Sequence, residues 1–367
     1  MQNKLQDTIQ GLLHQSVAEG NERGAQVAVY LDGKLEVDAF AGVTDVHTGA
    51  PVDGDSLFPV FSTTKGIFST VIHILAERGL VDYDAPIARY WAEYASKGKE
   101  KITVRQVMAH TAGVPFVPEG ITLEQSWDWD YMCAALAKLP PASEPGTKRQ
   151  YHPLTFGWIL GEVARRVDGR SVPQLLADEI CRPLGLKRLY CGIPAELEPQ
   201  TAFLEEVPDN PVVSAPPPNE VPPCAIPLPK WLNRTGTRLA PQPACSGIMS
   251  ARDIARTYAA TLPGGVNGVQ LISPERLRLA MEDQPPAGGY EAGMPRRGLG
   301  YQIGSAVDET SERATTFGHD GYGGSQGYGD TRYRLAFAIT RNRFSSHPLA
   351  SRIIQEIRRY LGVPVKT

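Results

Sequence analysis

The sequence predicts an α+β fold of the sandwich kind. One antiparallel sheet is built from both chain ends and flanked by helices, with a mostly helical region inserted between. Three observations carry this. Alternating apolar residues on either side of Asp32-Gly33 mark an early hairpin. Helix-period runs and a proline-rich stretch fill the middle of the chain. Short strand patterns then return and end in an amphipathic helix. Residues 1–80 and 285–367 are thus expected to form the sheet-and-helix domain, and 81–284 the helical region, with a proline-rich loop at 194–230.

In chain order, Leu5, Ile9, Leu12, Leu13 and Val17 predict a first amphipathic helix. Val27, Val29 and Leu31 alternate with Ala28 and Tyr30, and after Asp32-Gly33 the alternation resumes at Leu35, Val37 and Ala39. Leu57 to Val60 read as extended, and Ile67, Phe68, Val71, Ile72 and Leu75 give a helix closed at Gly79. Thr103 caps a short helix through Met108. Residues 122–138 read as one helix, Tyr151-His152-Pro153 opens the next, and Ser171 to Ile180 is another. The proline-rich stretch, with Pro216-Pro217-Pro218, is expected to be irregular, as either a surface linker or a wall of a pocket. Ser250 to Leu262 and Ser273 to Met281 are helical. Leu299 to Ile303, Ala314 to Phe317, Ser325 to Tyr328 and Arg334 to Thr340 are strand candidates, and Leu349 to Leu361 is the last helix.

The 367 residues are 42% hydrophobic and 21% charged, a globular composition. A net charge of −3 gives no reason to expect nucleic acid or an anionic membrane surface as partner. No apolar run approaches a membrane span, and no leader of signal-peptide type opens the sequence. The five cysteines form no Cys-x-x-Cys pair, so reduced thiols and a cytoplasmic location are expected. With no His-x-x-x-His pair and no nucleotide-binding glycine loop, neither a metal nor a cofactor is expected.

The chemistry gathers at Ser62-Thr63-Thr64-Lys65. Ser62 begins a helix, and Lys65 lies one turn on along the same face. A serine hydroxyl needs an adjacent base to act as nucleophile, and a partly buried lysine at the positive helix end can be that base. The plainer reading makes Ser62 an N-cap and Lys65 a solvated first-turn residue. Gly323-Gly324-Ser325-Gln326-Gly327 matches the nucleophile elbow Gly-x-Ser-x-Gly, but that turn requires a following helix and a later acid and histidine. Strand pattern follows Ser325 instead, and His347 is the one later histidine.

Three stretches stand in order: Ser62-Thr63-Thr64-Lys65, Tyr151-His152-Pro153 and His319-Asp320-Gly321. Together with Met108-Ala109-His110-Thr111-Ala112-Gly113 and Ser246-Gly247-Ile248-Met249-Ser250, this ordered set resembles the serine β-lactamase and penicillin-binding-protein superfamily. Its nearest likeness is to the β-lactamase-like carboxylesterases often called family VIII esterases, and it runs from about Gly20 to Leu361. The resemblance implies a serine hydrolase that cleaves short- to medium-chain carboxylic esters through an acyl-enzyme on Ser62. Acyl transfer to another alcohol, or hydrolysis of β-lactams or peptide amides, is the alternative on the same site. It also implies Lys65 as proton acceptor, Tyr151 as base and later acid, and an oxyanion hole made of the backbone N–H groups of Ser62 and Tyr322. His319, Asp320 and Gly321 would line the substrate. The penicillin-recognising families place Lys-Thr/Ser-Gly where this sequence has His319-Asp320-Gly321, and Asn where it has Pro153. Both departures favour a neutral ester over an anionic substrate. The small-molecule substrate is the one partner expected. Oligomeric state is open.

Overall fold

The computed structural model describes residues 4–207, 219–289, 295–304, 314–344 and 348–363. Pro216-Pro217-Pro218 and His347 lie outside them. The helices are α1 (Lys4–Ala18), α2 (Thr63–Glu77), α3 (Val104–Met108), α4 (Leu123–Trp127), α5 (Trp129–Lys138), α6 (Thr155–Asp168), α7 (Val172–Leu176), α8 (Arg182–Leu184), α9 (Leu228–Leu232), α10 (Thr235–Leu239), α11 (Ala251–Thr261), α12 (Pro274–Ala280) and α13 (Leu349–Tyr360). The strands are β1 (Gly24–Leu31), β2 (Lys34–Gly42), β3 (Phe58–Pro59), β4 (Leu189–Cys191), β5 (Gly247–Met249), β6 (Gln302–Ile303), β7 (Thr316–Asp320), β8 (Gln326–Asp330) and β9 (Leu335–Arg341).

Strands from both chain ends interleave in a six-stranded sheet of order β2-β1-β9-β8-β7-β6, every pairing antiparallel. The β1–β2 hairpin turns at Asp32-Gly33, both at positive φ, as the sequence predicts. β1 is buried on both faces, which explains why its alternation is apolar throughout. Val27 and Val29 meet Ile9 and Leu13 of α1 and Ile353 and Ile357 of α13 on one side. Ala28 and Tyr30 join the cluster formed with α2 and α11 on the other. The sheet is thus sandwiched between α1 and α13 on one face and α2 and α11 on the other.

Several boundaries differ from the sequence reading for local reasons. The helix expected over 122–138 is two, because the Asp128 carboxylate accepts a hydrogen bond from Tyr131 N–H and starts a new helix there. Tyr151-His152-Pro153 precedes α6, which begins at Thr155. The run from Ser171 passes from α7 through a π-helical turn at Ala177–Cys181 to α8, ending at left-handed Gly185. Among the described residues, the proline-rich stretch holds only short helical turns, Glu198–Gln200 and Pro223–Ala225, before α9. A second sheet, of order β3-β5-β4, is absent from the sequence reading. Strands of two or three residues are too short to show alternation.

Candidate active site

Four elements converge on Ser62. The chain leaves β3 and turns through Phe61, whose φ of +47° is costly for a bulky side chain. The surroundings hold that turn. Val60 N–H donates to Gly247 O at 2.9 Å, Phe61 bridges to Ser246, and the Phe61 ring packs edge-on against Tyr322 and Phe344. Thr64 Oγ1 accepts from Gly247 N–H at 2.9 Å and locks the first turn of α2 to β5. Ser62 occupies the N-cap position, yet its side chain makes no capping bond. Its hydroxyl instead meets Lys65 Nζ at 3.2 Å.

Lys65 is fully buried. Its Nζ also donates to the carbonyls of Pro153, at 2.7 Å, and Ala244, at 2.8 Å. The Ala244 carbonyl comes this close because Gly157 has no side chain. A Cβ there would lie 2.0 Å from Gln242 Oε1 and 2.5 Å from Ala244 N. Two amine hydrogens are thereby committed to carbonyls, and the third tetrahedral position of Nζ points at Ser62 Oγ. In the ammonium form that position is a donor to Ser62, and in the amine form it is a lone pair that accepts from it. The reading of Lys65 as a solvated residue is therefore replaced by that of a buried one. Pro153, which has no amide donor to offer, contributes a carbonyl.

Tyr151 is half-buried beside this pair. Lys65 Nζ stands 4.8 Å from the centre of its ring, His110 packs at 4.6 Å centroid to centroid, and His319 at 6.2 Å. His319 lies on β7, against α2 at Gly66, where a Cβ would come within 3.3 Å of the His319 Cβ. Its Nδ1–H donates to Asp320 O at 2.7 Å and its Nε2 accepts from Arg297 at 3.2 Å. Burial first, and then Arg297 and Lys65, push its pKa well down, so it is neutral. Burial pushes the Asp320 carboxyl up, against the pull of Tyr328 and Arg297, which weakens the repulsion of a substrate carboxylate expected from the sequence.

Gly321 follows, and its missing side chain is a steric requirement. A Cβ would sit 2.2 Å from Val60 O and 2.9 Å from Thr63 Oγ1. Gly321 N–H donates to Ser325 O at 2.7 Å, and Thr63 Oγ1 donates to the same carbonyl at 3.2 Å. This brings the Tyr322 peptide beside the Phe61-Ser62 turn. Neither the Ser62 nor the Tyr322 backbone N–H has an acceptor among the described residues. Ser325 itself is buried and runs directly into β8, so the helix an elbow requires is missing.

Two groups escaped sequence reasoning. Arg297 lies in a loop before β6, and only the fold brings it to Tyr151. Ala244 acts through its backbone, which no side-chain pattern reveals. His110 sits in a quoted stretch but without a role. The structure places it at φ +59°, its Nδ1 accepting from His152 N–H at 3.1 Å.

The fold and this cluster of serine, lysine and tyrosine define a class. The Beta-lactamase family model matches residues 9–361, and the chain belongs to that family. It is similar to "Esterase/beta-lactamase LipL" of Mycobacterium tuberculosis (strain ATCC 25618 / H37Rv), at 34% identity over 346 residues, 88% of this chain and 78% of that protein. Among solved structures, a family VIII carboxylesterase has a TM-score of 0.85 at 31% identity over 97% of both chains. A penicillin-binding protein homolog from Caulobacter crescentus has a TM-score of 0.84 at 28% identity, again over 97% of both.

Proposed function

We propose that the protein is a serine carboxylesterase that cleaves short- to medium-chain esters through an acyl-enzyme on Ser62. The observation that carries this is the uncapped Ser62 hydroxyl 3.2 Å from a Lys65 Nζ whose other two bonds go to backbone carbonyls. In this reading Ser62 Oγ attacks the ester carbonyl as its proton passes to Lys65. The carbonyl oxygen takes the electron pair and is held by the N–H groups of Ser62 and Tyr322. When the tetrahedral centre collapses, the C–O bond to the alcohol breaks, and Tyr151 hands that oxygen a proton. Water then attacks the acyl carbon and gives its proton to Tyr151; the bond from that carbon to Ser62 Oγ breaks, Lys65 returns the proton to Oγ, and the acid leaves.

A neutral ester fits better than an anionic substrate. His319 has one ring nitrogen donating to Asp320 O and the other engaged by Arg297, so it offers no donor to a substrate carboxylate. The LipL name joins esterase to β-lactamase, and amide hydrolysis at a lower rate is the second reading. No helix among the described residues is long and apolar enough to cross a membrane. The five cysteines are free thiols, and a cytoplasmic location fits them. The test is covalent labelling by a fluorophosphonate probe, followed by peptide mapping. The adduct is expected on the peptide carrying Ser62 and absent in Ser62→Ala. A label elsewhere, or none, overturns the assignment.

A further inference from the structure

Arg297 is 7% exposed, and among the described residues neither it nor Lys65 is ion-paired with a carboxylate. Its guanidinium carbon stands 5.0 Å from the centre of the Tyr151 ring, and one of its N–H groups donates to His319 Nε2 at 3.2 Å. Lys65 Nζ lies 4.8 Å from the same ring. Tyr151 therefore has the buried Arg297 guanidinium and the buried Lys65 side chain against its ring. The other titratable groups around them are His110 from the turn after α3, Arg149 and His152 on either side of Tyr151 in the chain, and His319 and Asp320 from β7, of which Arg149 and Asp320 act on Arg297. Burial, with nearby positive charge, pushes all three histidines down, so they are neutral.

We propose that Arg297 is a positioning residue of this site: packed on the Tyr151 ring and bonded to His319, it holds the tyrosine at the angle from which its hydroxyl exchanges a proton. This rests on the role given to Tyr151 above. A guanidinium over an aromatic ring is a preferred packing arrangement. It also fixes the hydrogen bonding of His319. Because arginine can only donate, His319 Nε2 must be the acceptor and Nδ1 must carry the hydrogen. The guanidinium against the tyrosine thus comes from a loop remote in sequence, while His319 stays a neutral imidazole.

The test is a double-mutant cycle on a p-nitrophenyl butyrate assay, with kcat, KM and melting temperature measured for each variant. Arg297→Met is expected to lower kcat at least tenfold with little change in KM. Arg297→Lys is expected to recover most of the rate. In a Tyr151→Phe background, Arg297→Met is expected to change the residual kcat by less than about threefold, because the residue it acts through is gone. Arg297→Gln carries the same comparison if the methionine variant does not fold. An equal loss in both backgrounds, or an unchanged kcat in Arg297→Met, overturns the proposal. Wild-type rates in Tyr151→Phe alone would instead overturn the role of Tyr151.

Discussion

Ser62 stands at a helix N-terminus with its hydroxyl uncommitted to the backbone, while the nearby Ser325 is buried in a strand turn. Ser62→Ala is therefore expected to abolish hydrolysis of p-nitrophenyl esters, and Ser325→Ala to leave most of it. An inactive Ser325→Ala beside an active Ser62→Ala would remove the basis of the mechanism. In the proposed mechanism Lys65 and Tyr151 share one proton path. Each of Lys65→Ala and Tyr151→Phe is expected to lower kcat about 10²-fold or more, a usual general-base contribution. The double variant should lose far less than the product of the two, since residues acting as a unit are not additive. Multiplicative losses would place them in separate steps. Serine, lysine and tyrosine were legible because their spacing and order are set by side chains. The carbonyls of Pro153 and Ala244 were not, because a backbone acceptor looks the same at every residue.

The elements holding these residues depend on close approach. The end of β7 meets the Val60-Phe61 turn at Gly321, where a Cβ would lie 2.2 Å from the Val60 carbonyl oxygen. Gly321→Ala is expected to push Tyr322 N–H away from Ser62 N–H. Loss of one oxyanion donor typically costs about 10²–10³ in kcat, so a fall of that order should appear with only a small shift in melting temperature. Full activity in this variant would show that the Tyr322 peptide is not part of the site. Elements set by local patterns were readable for the same physical reason that they fold. The apolar face of α13 and the capping box of α3 at Thr103 are both local patterns. The break at Asp128 and the β3-β5-β4 sheet depend on a single cap or on partners far along the chain, and no window of sequence holds that information.

Among the described residues, four buried histidines are held in the neutral form, each with one ring nitrogen accepting a hydrogen bond. Val114 N–H donates to His152 Nε2, His152 N–H to His110 Nδ1, Arg297 to His319 Nε2 and the Tyr83 hydroxyl to His73 Nδ1. Burial pushes His152 down to about 4 and His73 to about 3, and His110 and His319 well below the ordinary value. The unfolded chain protonates its histidines below about pH 6.5, while the folded chain does so only well below that. More protons are then bound by the unfolded state, so stability rises with pH through this window and is lost as pH falls from about 6.5 toward 4. Each such histidine contributes about 1.4 kcal/mol per pH unit in that range. Thermal melts are expected to show a steep fall in melting temperature between about pH 6.5 and 4.5. A flat profile there would mean that these imidazoles titrate in the folded protein.

The placing of β1 next to β9, Ala25 opposite Arg341, has a consequence during synthesis. The first strand leaves the ribosome with one neighbour, β2, and one bare edge that waits for almost the entire chain to be made. An apolar strand with an unsatisfied edge is a template for pairing with another molecule. Closing so distant a pairing is also slow. For this protein, yield in a cell then depends on how long that edge stays uncovered, and slower translation or lost C-terminal strands should send it to aggregates before any residue of the cleft is in place.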